Sequence, residues 1–256
     1  MNEKTSIFLD IAPVFSDYEG AVRLREQFLH DENAALTLRL DGDGLSLHAD
    51  GQVLRGDFVK MLPRVRPGMP SHEMLVKTAK IKNAESPLTA VDATAGLGED
   101  SILLAAAGFH VTMFEKNPVI HALLTDALDR AASVPELAEI VSRMQLRHAD
   151  SIEGMKHLDF TPDVILLDPM FPARQKRALV KKKLQMIQKL EFPCIDEGDM
   201  ILSAMGAGPK KLIIKRPPKG PYLAGIKPDH SIEGKAVRFD CIVNPLDRIE
   251  KYKSMI

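Results

Sequence analysis

The chain has no tryptophan and only three tyrosines, and its two cysteines, Cys194 and Cys241, have neither a CxxC partner nor a histidine at metal-ligand spacing. A disulfide framework and a structural zinc site are therefore both without support, and no metal is expected. Long apolar runs are missing as well. The longest, residues 102–109 with Gly108 read as neutral, falls far short of the roughly 20 residues that cross a bilayer. The opening Met1-Asn2-Glu3-Lys4-Thr5 lacks the basic stretch and apolar run of a secretory signal. A cytoplasmic protein without a membrane span is expected. Net charge is nearly absent too, at −1. What the chain does have is 256 residues, 45% of them hydrophobic, enough to build a real core.

The small net charge conceals an uneven distribution. Residues 1–100 carry 11 basic and 16 acidic side chains, residues 101–169 carry 5 and 10, and residues 170–256 carry 18 and 9. The basic surplus sits entirely at the C-terminal end, which suggests a local surface for a polyanion. In residues 1–67 a helix over 18–30 precedes strands over 36–40 and 45–48. These are joined by Asp41-Gly42-Asp43-Gly44, a hairpin signal. Pro63, Pro67 and Pro70 punctuate a loop, and Ser71 can cap a helix running to about Lys82. This reads as a small α+β unit ahead of a main domain over 68–256.

Beyond Pro87, short apolar runs alternate with amphipathic segments, the signature of βαβ units in an α/β fold with a mostly parallel sheet. Strands are expected over 88–92, 110–114, 144–148, 163–167 and 211–215. Helices are expected over 100–107, 118–132, 151–158, 173–190 and 196–205, and a closing hairpin over 230–232 and 237–243.

Three motifs fall at the ends of these strands. Asp92-Ala93-Thr94-Ala95-Gly96-Leu97-Gly98 lies between a strand and a helix, where Gly96 and Gly98 let the backbone approach a ligand closely or simply make a tight turn. A dinucleotide fold would want a third glycine where Ser101 stands. Glu115 ends the next strand, where a carboxylate can accept both ribose hydroxyls of a nucleoside or be a solvated strand-end acid. Asp150 and Ser151 follow the third strand, to contact an adenine amine or to cap the next helix, a role that Ser151 alone would explain.

The motif with most chemical content is Asp168-Pro169-Met170-Phe171-Pro172. Asp168 and the Pro169 carbonyl can accept the two protons of an exocyclic amine while Phe171 stacks on its base. The other reading is a proline-rich turn with a core phenylalanine. Arg174, Lys176, Arg177, Lys181 and Lys182 follow with no acid among them, and Lys215 and Arg216 come later. Phosphate contacts are the economical explanation, against an ordinary solvated face.

Together these residues resemble a known family. The Asp168 loop is similar to the Asp/Asn-Pro-Pro-Tyr motif of class I amino-methyltransferases. Asp92 to Gly98, Glu115-Lys116-Asn117-Pro118-Val119, Asp168 to Pro172, Gln175-Lys176, residues 178–182, Ile214-Lys215-Arg216-Pro217 and Arg238-Phe239-Asp240 resemble the ribosomal RNA small subunit methyltransferase J family. The resemblance covers about residues 68–243. It implies a Rossmann-like class I sheet, S-adenosylmethionine as donor, and transfer to a guanine N2 amine of 16S rRNA or the small ribosomal subunit, with no obligate protein partner. It places cofactor contacts on Glu99, Asp100, Glu115, Lys116, Asp150, Ser151 and Asp168, with Glu99 standing where the family commonly has arginine. The loop serves planar amines and amides alike, so DNA adenine and protein glutamine remain alternative acceptors. A nucleoside-binding module or a nicotinamide dehydrogenase is a different class of reading.

Overall fold

The computed structural model describes residues 6–82, 87–169 and 196–253. The N-terminal part runs β1 Ser6–Ile11, α1 Glu19–Gln27, β2 Leu29–His30, β3 Thr37–Asp41, β4 Gly44–Ala49 and β5 Gln52–Leu54, in a sheet ordered β2-β1-β3-β4-β5. The Asp41–Gly44 hairpin is where the residue pattern puts it, but the helix expected over 18–30 stops at Gln27, because Phe28 turns to extended backbone and Leu29–His30 pairs with β1 as a strand. β1 and β5 were not read from the pattern, and β1 pairs in parallel with both β2 and β3.

Two short helices, α2 Leu62–Val65 and α3 Met74–Ala79, lead into the larger sheet. Ser71 does not cap α3. Its hydroxyl donates to the Gly68 carbonyl at 2.8 Å inside a 3₁₀ turn over Pro70–His72, and the helix begins after Glu73.

The larger unit follows as β6 Leu88–Asp92, α4 Glu99–Ala106, β7 Phe109–Phe114, α5 Pro118–Ala132, α6 Pro135–Val141, β8 Met144–Arg147, α7 Ser151–Lys156, β9 Val164–Leu167, α8 Glu197–Gly206, β10 Lys211–Arg216, β11 His230–Glu233, β12 Arg238–Val243 and α9 Ile249–Lys253. Its seven strands are ordered β11-β12-β10-β9-β6-β7-β8. The five from β10 to β8 are parallel, while β12 runs antiparallel beside β10 and β11. The expected helix over 173–190 lies outside the described residues, and α6 was not anticipated.

The central strand β9, Val-Ile-Leu-Leu, is an unbroken apolar run, buried throughout, because both its faces are covered. Successive side chains alternate between the faces. Val164 and Leu166 join a core with Ile102, Leu104, Met113 and Leu124, whereas Ile165 and Leu167 join one with Ile201, Met205 and Ile214. α5 starts where it does because the Asn117 side chain accepts from the backbone N–H of Val119 (2.9 Å) and Ile120 (3.2 Å), with Pro118 as first residue. A third core unites the two units. Ile7, Leu38, Leu45 and Leu47 pack with Val119, Ile120 and Leu123 of α5. No helix among the described residues is long and apolar enough to cross a membrane.

Candidate functional site

The chain order reverses direction at β6, whose neighbours are β7 on one side and β9 on the other. In open α/β sheets ligands bind outside the carboxyl ends of the strands at such a switch point. Gly96 and Gly98 follow β6, Glu115 and Lys116 follow β7, Asp150 and Ser151 lie beyond β8, and Asp168 and Pro169 follow β9. The fold therefore gathers at one edge residues that are scattered through the sequence.

Hydrogen bonds knit these loops together. The Asp168 N–H donates to the Thr94 hydroxyl at 2.7 Å, fixing the β9 loop to the glycine loop. The Gly96 N–H donates to Glu115 Oε2 at 3.1 Å and the Asn117 N–H to Oε1 at 2.7 Å, so the carboxylate, 5% exposed, is held by two backbone donors. Gly96 and Gly98 both have left-handed backbones, at φ 54 and 76. A Cβ on Gly96 would meet nothing within 4 Å, whereas one on Gly98 would lie 2.9 Å from both Leu124 and Phe58. Gly98 is thus a packing glycine, and Gly96 faces open space.

Asp150, not Ser151, is the N-cap of α7, its Oδ1 accepting from the Ile152 N–H at 2.8 Å. Its other oxygen lies 3.7 Å from Lys116 Nζ, an exposed pair worth little energetically. Ser151 is buried as the first helical residue, and Glu99 is exposed on the first turn of α4, where an acid suits the helix dipole.

The centre of the site is a charge cluster that the motif reading missed. Lys215 Nζ lies 2.5 Å from Asp100 Oδ2 and 2.8 Å from Asp168 Oδ2. The Asp168 side chain remains 39% exposed, so it is both anchored and reachable. Burial raises its pKa and the Lys215 charge opposes that rise. The lysine's own pKa is raised by its two carboxylate neighbours, against desolvation.

Lys215 and Arg216 were expected to meet RNA phosphates, and their placement argues against it. Lys215 is engaged by two carboxylates. Arg216 is 1% exposed, and its Nε donates to the Pro221 carbonyl at 2.8 Å. Arg238 adds donations to the carbonyls of Pro218 (2.9 Å) and Gly220 (3.2 Å) while gripping Asp240 through two bonds. These two arginines shape the loop over residues 217–221 from inside. Phe171, Arg174, Lys176, Arg177, Lys181 and Lys182 lie outside the described residues.

Beneath the loops Asp92 is 2% exposed, accepting from the Ser101 hydroxyl at 2.6 Å and from the Thr94 N–H at 3.1 Å. Ser101, standing where a dinucleotide-binding turn has its third glycine, is tied to this carboxyl. Burial lifts the Asp92 pKa from 3.8 to about 6, with Ser101 pulling the other way. A folded-state pKa above the unfolded value gives a stabilisation that is complete below the unfolded pKa and is lost as pH rises through about 6. Asp92→Asn, neutral throughout, should therefore gain on wild type by about 2 kcal/mol between roughly pH 4 and pH 8. Urea titrations at the two pH values measure this, and a constant gap would mean that Asp92 ionises as easily folded as unfolded.

These groups suit S-adenosylmethionine. Its ribose offers two hydroxyl donors to an acceptor such as Glu115, its sulfonium and ammonium are cations, and Asp100 and Asp168 outnumber Lys215. Open space beside Gly96 leaves the loop backbone free for close approach. Glu115→Ala should weaken binding of S-adenosylhomocysteine by about 1–3 kcal/mol, the range for a charge-assisted hydrogen bond. Isothermal titration checks it, and unchanged affinity removes Glu115 from the cofactor site.

Comparison with known proteins agrees. A family model described as "Putative SAM-dependent methyltransferase" matches residues 22–244. The chain is 40% identical over 228 residues to ribosomal RNA small subunit methyltransferase J of Shewanella oneidensis, covering 86% of this chain and 90% of that protein. It is 38% identical over 212 residues to the protein of the same name from Marinobacter nauticus, covering 80% and 76%. A crystal structure of a SAM-dependent methyltransferase from Neisseria gonorrhoeae superimposes with a TM-score of 0.73 at 28% identity, covering 94% of this chain and 96% of that one. The chain belongs to the ribosomal RNA small subunit methyltransferase J family of S-adenosylmethionine-dependent methyltransferases.

Proposed function

We propose that this chain methylates the exocyclic N2 amine of a guanine in 16S ribosomal RNA, free or within the small subunit, in the cytoplasm. The observation that carries the reading is Asp168: a carboxylate at the switch point of the sheet, tied to the glycine loop through Thr94 and still 39% exposed. The names of the relatives from Shewanella oneidensis and Marinobacter nauticus support rRNA as the substrate class.

The donor supplies an electrophilic methyl group on a sulfonium. The protein's task is at the acceptor, since the lone pair of a guanine N2 is delocalised into the ring. Asp168 accepts one N–H of the amine and the Pro169 carbonyl the other, which helps to localise that lone pair. As the nitrogen gains positive charge, the Asp168 carboxylate stabilises it, and the surplus proton leaves to Asp168 or to water. Phe171 stacks on the base. Arg174, Lys176, Arg177, Lys181 and Lys182 hold the phosphates. Fixing amine and donor together removes several kcal/mol of barrier, up to about 7–11 kcal/mol at the extreme. Residues 6–67 form a unit that braces the glycine loop, through Phe58 against Gly98 at the junction.

A substrate panel tests the reading: 16S rRNA, small subunits, 23S rRNA, duplex DNA and a glutamine-containing peptide, each with a labelled methyl donor. Label in 16S rRNA or the subunit alone is the expected result. Label in DNA or peptide would move the acceptor to adenine or glutamine.

A further inference from the structure

The Lys215 ammonium lies 2.5 Å from Asp100 and 2.8 Å from Asp168, and it is the only cation paired with either among the described residues. It is presented by β10, next to β9 in the sheet, so strand pairing fixes its distance from the Asp168 loop. Ile214 is in register with Leu167, one residue before Asp168. Across β12, Lys215 faces Phe239, which offers no competing charge. The lysine side chain is 23% exposed and the Asp100 side chain 22%, so this pair is much drier than an ordinary surface salt bridge.

We infer that Lys215 is a positioning residue for methyl transfer, bridging Asp100 and Asp168 so that the Asp168 carboxylate is held in place for the acceptor amine. The inference rests on the reading of Asp168 as the group that meets that amine. It replaces the phosphate contact that the sequence suggests for Lys215.

The electrostatics favour it. Among the described residues, the charged and titratable groups around Asp168 are Lys215 and Arg216 from β10, Asp100 from α4 and, beneath, Asp92 from β6. Arg64 from α2 acts on Asp100. Burial and Asp100 both disfavour the ionised form of Asp168, and Lys215 is the largest influence in the other direction. A protonated carboxyl keeps one acceptor oxygen for the amine, but the ionised carboxylate stabilises the positive charge that develops on it far better. Removing the ammonium raises the Asp168 pKa and leaves two neighbouring carboxylates repelling each other. Activity should then fail from the acid side first.

The experiment compares Lys215→Met and Lys215→Arg with wild type in three measurements. The first is kcat and KM for RNA between about pH 5 and pH 9. Lys215→Met should lower kcat at neutral pH by about ten- to a hundred-fold and move its acid limb upward by about one unit or more. KM for RNA should stay within about two-fold, and Lys215→Arg, which keeps the charge, should return the limb most of the way. The second measurement needs no turnover. Carbon-13 carboxyl NMR of the cofactor-free protein should show Asp168 titrating at higher pH in Lys215→Met than in wild type or Lys215→Arg. The third is RNA affinity of the cofactor-free protein across a salt series, expected to be unchanged.

Weaker RNA binding with a flatter salt dependence and an unmoved acid limb would overturn the inference and return Lys215 to phosphate binding. Tighter binding of S-adenosylhomocysteine by Lys215→Met with an unmoved Asp168 titration would overturn it too, making the ammonium a competitor for the site. If wild type methylates no RNA at all, the proposed function fails, while the carboxyl titration still decides whether Lys215 controls Asp168.

Discussion

Asp168→Ala should lower kcat by about a hundred- to a thousand-fold, the cost of removing one preorganised group that stabilises developing charge, while the protein stays folded. The fold survives because the bond that anchors the loop is made by the backbone: the Asp168 N–H to the Thr94 hydroxyl persists whatever side chain follows. Lys215 keeps its partner in Asp100. Asp168→Asn retains an acceptor oxygen without the charge, so its activity should fall between Ala and wild type. Single-turnover methylation alongside thermal melting separates the two contributions. Near-normal turnover in a folded Ala variant would remove Asp168 from the chemistry.

Gly98→Ala should cost about 2–5 kcal/mol of stability. The residue has φ 76, where a Cβ costs roughly 1–2 kcal/mol. That Cβ would sit 2.9 Å from Leu124 and from Phe58, adding an overpacking cost of about 1–3 kcal/mol. A fall in Tm of roughly 4–20 °C follows for a chain of this size. Gly96→Ala is the contrasting case, because its Cβ would meet nothing within 4 Å. It should lose only the backbone strain, about 1–2 kcal/mol, yet impair S-adenosylhomocysteine binding more than Gly98→Ala does per unit of stability lost. Equal Tm losses in the two variants would show that packing against Phe58 and Leu124 plays no part. Phe58 precedes the methyltransferase sheet in the chain, so this contact ties the N-terminal part to the cofactor edge.

Much of this architecture was legible because its signals are local. The strand over 88–92 and the helix over 118–132 match their observed bounds, the one an apolar run ending at a glycine turn, the other opened by an Asn-Pro cap. The Asp41–Gly44 hairpin was equally local. β1 was missed because its partner β3 lies some thirty residues on, and half-exposed residues give it no clean alternation. Ser71 and Ser151 carry the right residue type for a cap, but the chain enters each helix elsewhere, through Glu73 and Asp150. Gly96, Gly98, Glu115, Asp150 and Asp168 come together at one sheet edge because each follows a strand, and that placement is legible in the sequence. Lys215 also stands near a strand end, and its positive charge read as a phosphate contact. Its partner Asp100 is 115 residues away, so only the folded sheet reveals the bridge. Arg216 was misread for the same reason, since a guanidinium buried under a proline loop looks in sequence like any surface cation. Thr94 was read only as part of the glycine motif and Ser101 only as the place of a missing third glycine, while the fold gives each a bond to a loop or an acid.

The central claim, transfer to a guanine N2 amine by the Asp168 loop, is tested most directly by nucleoside mass analysis of 16S rRNA. The rRNA is taken from cells lacking this protein and incubated, free or as small subunits, with the purified enzyme and an isotopically labelled methyl donor. The account predicts label in N2-methylguanosine with wild type and its loss with Asp168→Ala. Label in methylated adenine, or equal N2-methylguanosine from both proteins, would contradict it.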